Sequence, residues 1–255
     1  MTRLIAVILT KDEEAHIAAC IESARWADSV VVFDSFSADR TLAIAQECGA
    51  QIVQHPFENY SAQREAALRL FEAQTEWLFF IDADERSSPE QAAEMRAAIA
   101  QTEHDGFWLP RHNYIFGRLT RGAGWYPDYQ LRLLRARRAR YDLTRDVHEI
   151  VLLDGTAGYL SVPLVHYNYR DARQFHHKQR RYTAFAAQEL FKQGVRAKPH
   201  NYILQPLRHF RWRFLTLGGY RDGLHGLRLS LLMAYYEWRK YVLLGRLWRE
   251  AAQVR

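Results

Sequence analysis

Apolar runs bounded by polar residues alternate with stretches of helical periodicity over the first hundred residues. Leu4 to Leu9 is a short continuous apolar run, followed by a helical pattern near Glu13 to Ala24. Val30 to Phe33 is the next run, with a second helical pattern over Thr41 to Cys48. Ile52 and Val53 make a short strand before His55-Pro56, Ala62 to Phe71 reads as a helix, and Trp77 to Ile81 is rich in aromatic and branched side chains. This alternation predicts βαβ units and an α/β fold with a mostly parallel sheet flanked by helices. Ligands on such sheets bind beyond the carboxyl ends of the strands. The polar residues that stop the runs, Thr10-Lys11-Asp12-Glu13-Glu14, Asp34-Ser35 and Asp82-Ala83-Asp84-Glu85, are therefore expected to converge on one crevice.

After a helix from Pro89 to about Ala100, Phe107 to Pro110 and Tyr129 to Leu134 look like strands joined by a Gly- and aromatic-rich loop. Regular alternation ends there. Residues 171–193 fit a helix, and 223–248 fit another, with Leu224, Leu227, Leu231, Ala234, Tyr235 and Trp238 near helical spacing. Pro199 and Pro206 are expected to punctuate the link between these two helices.

With 255 residues and 48% hydrophobic side chains, the chain can bury a full core. Its net charge of +6 hides two unlike parts. Residues 1–105 hold 8 basic and 19 acidic side chains, and residues 106–255 hold 27 basic and 10 acidic ones. An acidic part suited to a cation thus precedes a basic part suited to an anionic partner. Cys20 and Cys48 show no zinc-type spacing and read as reduced thiols of a cytoplasmic protein. Leu4 to Leu9 is too short for the apolar core of a signal peptide. The apolar stretch around Leu229 to Leu247 is interrupted by Glu237, Arg239, Lys240 and Arg246, so no segment is expected to cross a membrane.

Asp82-Ala83-Asp84-Glu85 carries the sharpest local chemistry, because alternate residues of an extended chain bring two carboxylates near one point. Such hard oxygen ligands suit Mg²⁺ or Mn²⁺ clamped to a diphosphate, although an acidic turn before the Pro89 helix has the same composition. Asp34 and Asp39 flank Ser35 and Ser37 and suit hydrogen bonding to a nucleobase and ribose; Asp39 equally suits a helix N-terminus. Thr10 reads as a cap for the following helix, with Asp12, Glu13 and Glu14 in its first turn. Further on, Arg208-His209-Phe210-Arg211-Trp212-Arg213-Phe214 interleaves basic and aromatic residues. That composition suits an anionic membrane surface, single-stranded nucleic acid, or a helix with an aromatic core face and a solvated basic face.

The joint order of these features resembles a known family. ILTKDEEAHI (8–17), VVVFDSFSADRTLAIA (30–45), HPFENYSAQREAAL (55–68) and WLFFIDADER (77–86) are similar to family 2 glycosyltransferases of the GT-A fold. The bacterial branch that includes lipopolysaccharide inner-core glucosyltransferases acting on heptose is the nearest in pattern. GWYPDYQLRLLR (124–135), VHE (147–149) and VPLVHYNYRD (162–171) extend the resemblance over about residues 4–185.

The resemblance implies an inverting transferase that moves a sugar, a UDP-linked hexose, from a nucleotide-sugar donor to a glycan or glycolipid acceptor of the cell envelope. It implies Asp82 and Asp84 as holders of Mg²⁺ or Mn²⁺, and Thr10, Glu14, Asp34, Asp39, Arg64 and Asp82 as donor-side residues. Two departures stand out: Phe36 and Ala38 replace the glycine and threonine of the usual VDSGSTD pattern, and Asp12 replaces the asparagine of KNEE. The first points to a different turn and the second loses an amide donor. Asp128 is the implied catalytic base, with pairing to Arg132 as its alternative role. Arg111, Arg132, His148 and Glu149 fall on the acceptor or diphosphate side. The implied division is a donor-binding part over 1–105, an acceptor-side part over 106–170 and a helical basic extension over 171–255.

Peripheral attachment to an anionic membrane on its inner face is the expected location, with no nucleic-acid partner. The rival enzymatic reading, a sugar-nucleotide nucleotidyltransferase, wants a glycine-rich phosphate loop after the first strand, and Thr10 to Glu14 contains no glycine. A dehydrogenase would need GxGxxG there. A basic membrane- or nucleic-acid-binding module would leave the ordered acidic strand ends unexplained.

Overall fold

A computed structural model of the chain describes residues 3–144 and 149–253. The apolar runs become β1 (Leu4–Thr10), β2 (Ser29–Asp34), β3 (Gln51–Gln54) and β4 (Trp77–Asp82), parallel and in the order β3-β2-β1-β4. Crossovers are made by α1 (Ile17–Ala24), α2 (Thr41–Glu47) and α3 (Tyr60–Phe71). Beyond β4 the sheet turns antiparallel, as β8 (Tyr129–Arg135) pairs with β4 and β6 (Gly106–Ile115) pairs with β8. β9 (Ala139–Tyr141) and β10 (Val151–Leu153) form a separate antiparallel pair, β11 (Ala157–Tyr159) runs parallel to β6, and β12 (Leu164–Tyr169) pairs antiparallel with the two-residue β5 (Glu85–Arg86). The expected α/β class, of GT-A type, is the one that forms.

The two-residue period of the strands explains why the runs are continuous rather than alternating. Leu4, Ala6, Ile8, Trp77, Phe79 and Ile81 bury one face against α1 and α4 (Pro89–Ala100). Ile5, Val7, Leu78 and Phe80 bury the other against Ala67, Leu68 and Phe71 of α3. Each such side chain contributes about 1.5–3 kcal/mol on burial, so both periods of the strand must be apolar.

Compactness divides the chain into residues 1–111 with 129–166, and 112–128 with 167–255. Residues 106–170 contribute to both units. β6 continues past Arg111 into a hairpin with β7 (Arg118–Thr120). Ile115 of that hairpin shares a core with Tyr169, with Phe175 of α5 (Ala172–Lys192), and with Leu229 and Tyr236 of α7 (Gly223–Gln253). At the start of α7, Gly226 approaches the Gly219 carbonyl so closely that a β-carbon would overlap it.

The punctuation expected at Pro206 is absent. Pro206 lies inside α6 (Asn201–Arg211), although it supplies no N–H to the turn before it. Packing keeps the helix continuous there. The Tyr202 hydroxyl fills the notch left by Gly245 on α7, and Phe210 stacks on Phe214 with ring centroids 5.4 Å apart. Among the described residues no helix is long and apolar enough to cross a membrane.

Candidate active site

Register brings the strand ends together. Thr10 lies opposite Asp34 across β1 and β2, and Leu9 opposite Asp82 across β1 and β4, so the three polar stops share the carboxyl edge of the sheet. The loops after β1 and β2 then tie each other down. The Asp12 carboxylate accepts from the Ala38 N–H at 2.7 Å, and the Asp12 N–H donates to Ser37 Oγ at 2.9 Å. Asp39 accepts from the N–H groups of Thr41 and Glu14, and Glu14 accepts from the Arg40 N–H. Burial opposes the charge on Asp39, and these donors outweigh it, holding the carboxyl below its usual range.

Phe36 adopts φ of 58°, in the left-handed region that glycine favours. The loop therefore keeps a left-handed residue at the position where the family pattern has glycine. Asp34 is fully buried and accepts from the Ser37 N–H at 2.9 Å and from Gln54 Nε2 at 3.2 Å, which places it beneath the loop as its support. Thr10 does not form the expected cap. Its buried hydroxyl has no hydrogen bond among the described residues, and the Glu13 N–H is instead held by Thr41 Oγ1.

At the end of β4 an ion cluster forms. α3 is capped by Asn59, whose side chain accepts from the Ala62 N–H at 2.8 Å, and its inward stripe of Ser61, Arg64, Leu68 and Phe71 carries an arginine at a core position. Arg64 Nη2 donates to Asp82 Oδ1 and Arg132 Nη2 to Asp82 Oδ2, both at 2.7 Å. Arg64 Nε sits 2.7 Å from Glu149, and Arg111 donates to the buried Glu85 at 3.0 Å. Thus Arg64, Arg111, Arg132 and Glu149, separated in sequence, meet Asp82 in one network. Arg64 Nη1 and Arg132 Nε hold no hydrogen bond among the described residues, which leaves the cluster with spare donors.

Burial by itself raises the Asp82 carboxyl, but the charges of Arg132, Arg64 and Arg111 outweigh it and hold the group well below the usual carboxylate range. The folded value lies below the unfolded one, so the stabilisation is complete above about pH 4 and is lost as pH falls further. Asp82→Asn leaves two buried guanidiniums short of a counter-charge. It is expected to cost about 3 kcal/mol at neutral pH, read from urea unfolding, with the difference from the parent protein shrinking in acid.

Each Asp82 oxygen accepts from a guanidinium, Oδ1 from Arg64 and Oδ2 from Arg132. Asp84 instead has His166 of β12 beside it, Oδ2 to Nε2 at 3.5 Å, with 18% and 9% of their side-chain surfaces exposed. One carboxylate oxygen and one imidazole nitrogen at this separation fit a shared divalent cation, and the mixed donor set suits Mn²⁺ better than Mg²⁺. No group of three or more His, Cys, Asp or Glu side chains able to hold a metal occurs among the described residues. A cation here would take its remaining ligands from substrate or water.

His166 and the buried Glu85 were missed as site residues by sequence reasoning, although both lie in phrases of the resemblance. The polar histidine within the Leu164–Tyr169 strand pattern was the available signal. His148 lies outside the described residues.

In the second unit, Asp128 accepts from Asn113 Nδ2 at 3.0 Å. Asn113 is buried, donates also to the Trp125 carbonyl at 2.9 Å, and accepts from Asn168 Nδ2 at 3.1 Å, so its amide is fixed on both ends. Neither asparagine carries a sequence signal that marks it as a positioning residue. Arg132, the alternative partner for Asp128, is engaged with Asp82 and lies 4.0 Å from both Glu85 and Glu149.

Comparison with known proteins accords with this architecture. The family model described as Glycosyl transferase family 2 matches residues 5–164. Lipopolysaccharide core biosynthesis glycosyltransferase LpsC of Rhizobium meliloti (strain 1021) is 30% identical over 245 residues, covering 91% of this chain and 88% of the relative. An uncharacterized glycosyltransferase of Rickettsia felis is 37% identical over 108 residues, covering 42% of this chain and 38% of the relative. Among solved structures, Mycobacterium tuberculosis glucosyl-3-phosphoglycerate synthase, in a complex with Mn²⁺, UDP and glucosyl-3-phosphoglycerate, is 18% identical with a TM-score of 0.49, covering 76% of this chain and 81% of that one. Staphylococcus aureus TarS, residues 1–349, is 14% identical with a TM-score of 0.48, covering 98% and 92%. The extent of the family match and the LpsC alignment over nearly the whole chain place this protein in glycosyl transferase family 2, as a sugar-transferring enzyme.

Proposed function

We propose that the chain transfers a hexose from a UDP-sugar, with inversion at the anomeric carbon, to a glycan or glycolipid acceptor of the cell envelope such as lipopolysaccharide core. The acceptor class is supported by the similarity to LpsC over nearly the full length of both chains. The observation that carries the donor side is the placement of Asp84 and His166 next to the Asp82 cluster at the carboxyl edge of the sheet. A diphosphate brings negative charge that two carboxylates alone would repel. Arg64 and Arg132, both paired with Asp82, bring compensating positive charge to this edge of the sheet.

In this reading the β1 and β2 loops, shaped by Asp34, Asp39 and Glu14, cradle the nucleoside, with Thr10 at the strand end. Asp84 and His166 would hold Mn²⁺ or Mg²⁺, which when bound would supply Lewis-acid stabilisation of the departing diphosphate. The Asp128 carboxylate takes the proton of the acceptor hydroxyl as its oxygen bonds to the anomeric carbon, and the bond from that carbon to the donor phosphate breaks. Arg111 and Glu149 keep the ion cluster in register for the leaving group.

Thermal-shift titration of UDP and UDP-sugars with and without Mn²⁺ tests the donor assignment, and proton NMR of the product tests the stereochemistry. UDP and Mn²⁺ together are expected to stabilise the protein beyond the sum of each alone. Equal stabilisation by UDP in the presence of a chelator would remove the cation from the donor site. Release of pyrophosphate instead of UDP would identify a nucleotidyltransferase.

A further inference from the structure

The described part of α6 has an unusual distribution of side chains. None of its eleven residues is buried, yet Ile203, Leu204 and Leu207 are 64%, 51% and 59% exposed. Trp212, at the start of the following π turn, is exposed as well, and Arg208 and Arg211 lie among these residues on the outward side. The aromatic residues Phe210 and Phe214 are half-buried and stack on each other. The less exposed aromatic rings and the exposed arginines accord with an aromatic face opposite a solvated basic one, with exposed aliphatic side chains added to the latter. The outward surface is aliphatic and basic together.

From Leu190 to Arg221 the chain contains Lys192, Arg196, Lys198, Arg208, Arg211, Arg213 and Arg221 and no acidic residue. We infer that the outward side of α6 is a docking surface for an anionic lipid bilayer, with Ile203, Leu204 and Leu207 entering the acyl boundary and Arg208 and Arg211 meeting lipid phosphates. Arginine stems cover apolar surface while their heads stay at the headgroup level, which suits a face where the two kinds of side chain interleave. A second copy of the same surface fits poorly, because it would set arginine against arginine without a carboxylate. Nucleic acid accounts for the arginines but not the aliphatic side chains, which offer bases nothing to stack on. This inference does not rest on the transfer reaction.

Flotation of the full chain tests it, using vesicles of phosphatidylcholine alone and vesicles containing about one-third phosphatidylglycerol. Binding is expected on the anionic vesicles only, weakening strongly between about 0.1 M and 0.5 M salt. Ile203→Ser, Leu204→Ser and Leu207→Ser together change only exposed positions, so the thermal midpoint should be kept while vesicle affinity falls at least about tenfold. Arg208→Ser with Arg211→Ser should lower it about fivefold per charge. Equal flotation on both vesicle types, no flotation, or a serine triple variant that floats like the parent would overturn the proposal. So would a concentration-dependent dimer in sedimentation that the triple variant abolishes, or single-stranded RNA binding lost in both variants without any vesicle binding.

Discussion

Asparagine in place of Asp128 is expected to lower turnover at least about a hundredfold while leaving UDP-sugar affinity nearly unchanged. The substitution keeps size and polarity but removes the basicity that the proposed inverting transfer would require of Asp128. The hydrogen bonds around it would suit that proposed role. Asn113, locked by the Trp125 carbonyl and by Asn168, presents an N–H to one carboxylate oxygen and so fixes the direction of the other. Single-turnover kinetics beside calorimetry with UDP separate the two quantities. A well-folded Asp128→Asn protein with near-normal turnover would move the base elsewhere, and Glu149 is then the next carboxylate to test. A merely structural Asp128 gives a different pattern, with a lowered thermal midpoint and only moderate loss of activity.

Asp84→Ala is expected to reduce turnover by about a thousandfold or more and to abolish the Mn²⁺-dependent part of UDP binding, because a divalent cation at a leaving diphosphate is worth several kcal/mol in the transition state. His166→Ala should act in the same direction with a smaller effect, since Asp84 alone keeps the charge. The two substitutions together should cost less than the sum of each, as expected of two ligands on one ion. The outcome that would sink this assignment is UDP affinity indifferent to Mn²⁺ in the parent protein and unaltered by Asp84→Ala. In that case the 3.5 Å contact of Asp84 with His166 is a structural contact at the strand end.

The sheet was legible in the sequence because its central strands are buried on both faces, so Leu4 to Leu9 and Trp77 to Ile81 stand out as unbroken apolar runs. The family phrases supplied the order of the acidic strand ends. Less legible were features made by contacts distant in sequence. α1 starts at Ile17 rather than near Glu13, because side chains of the β2 loop hold the Glu13 and Glu14 N–H groups in a turn. The ties of Arg64 and Arg132 to the two oxygens of Asp82 join residues 18 and 50 positions away, which no local pattern reveals. His166 reaches Asp84 only through the short pairing of β12 with β5, a two-residue strand that no periodicity reveals. Pro206 misled because proline's local rule was outweighed by packing against α7.

Phe36 holds its left-handed conformation with a side chain that is 52% exposed, so little packing repays the roughly 1 kcal/mol such a residue costs. Glycine at the same place would adopt the shape without strain but would also wander through many others. The bulky residue narrows those excursions, and the cross-ties from Asp12 and Asp39 narrow them again. A loop stiffened in advance surrenders little conformational freedom when a ligand settles against it, so more of the contact energy appears as affinity. The same stiffness makes the loop intolerant of ligands whose outline differs from the one for which it is set, a selectivity by rigidity rather than by any single contact.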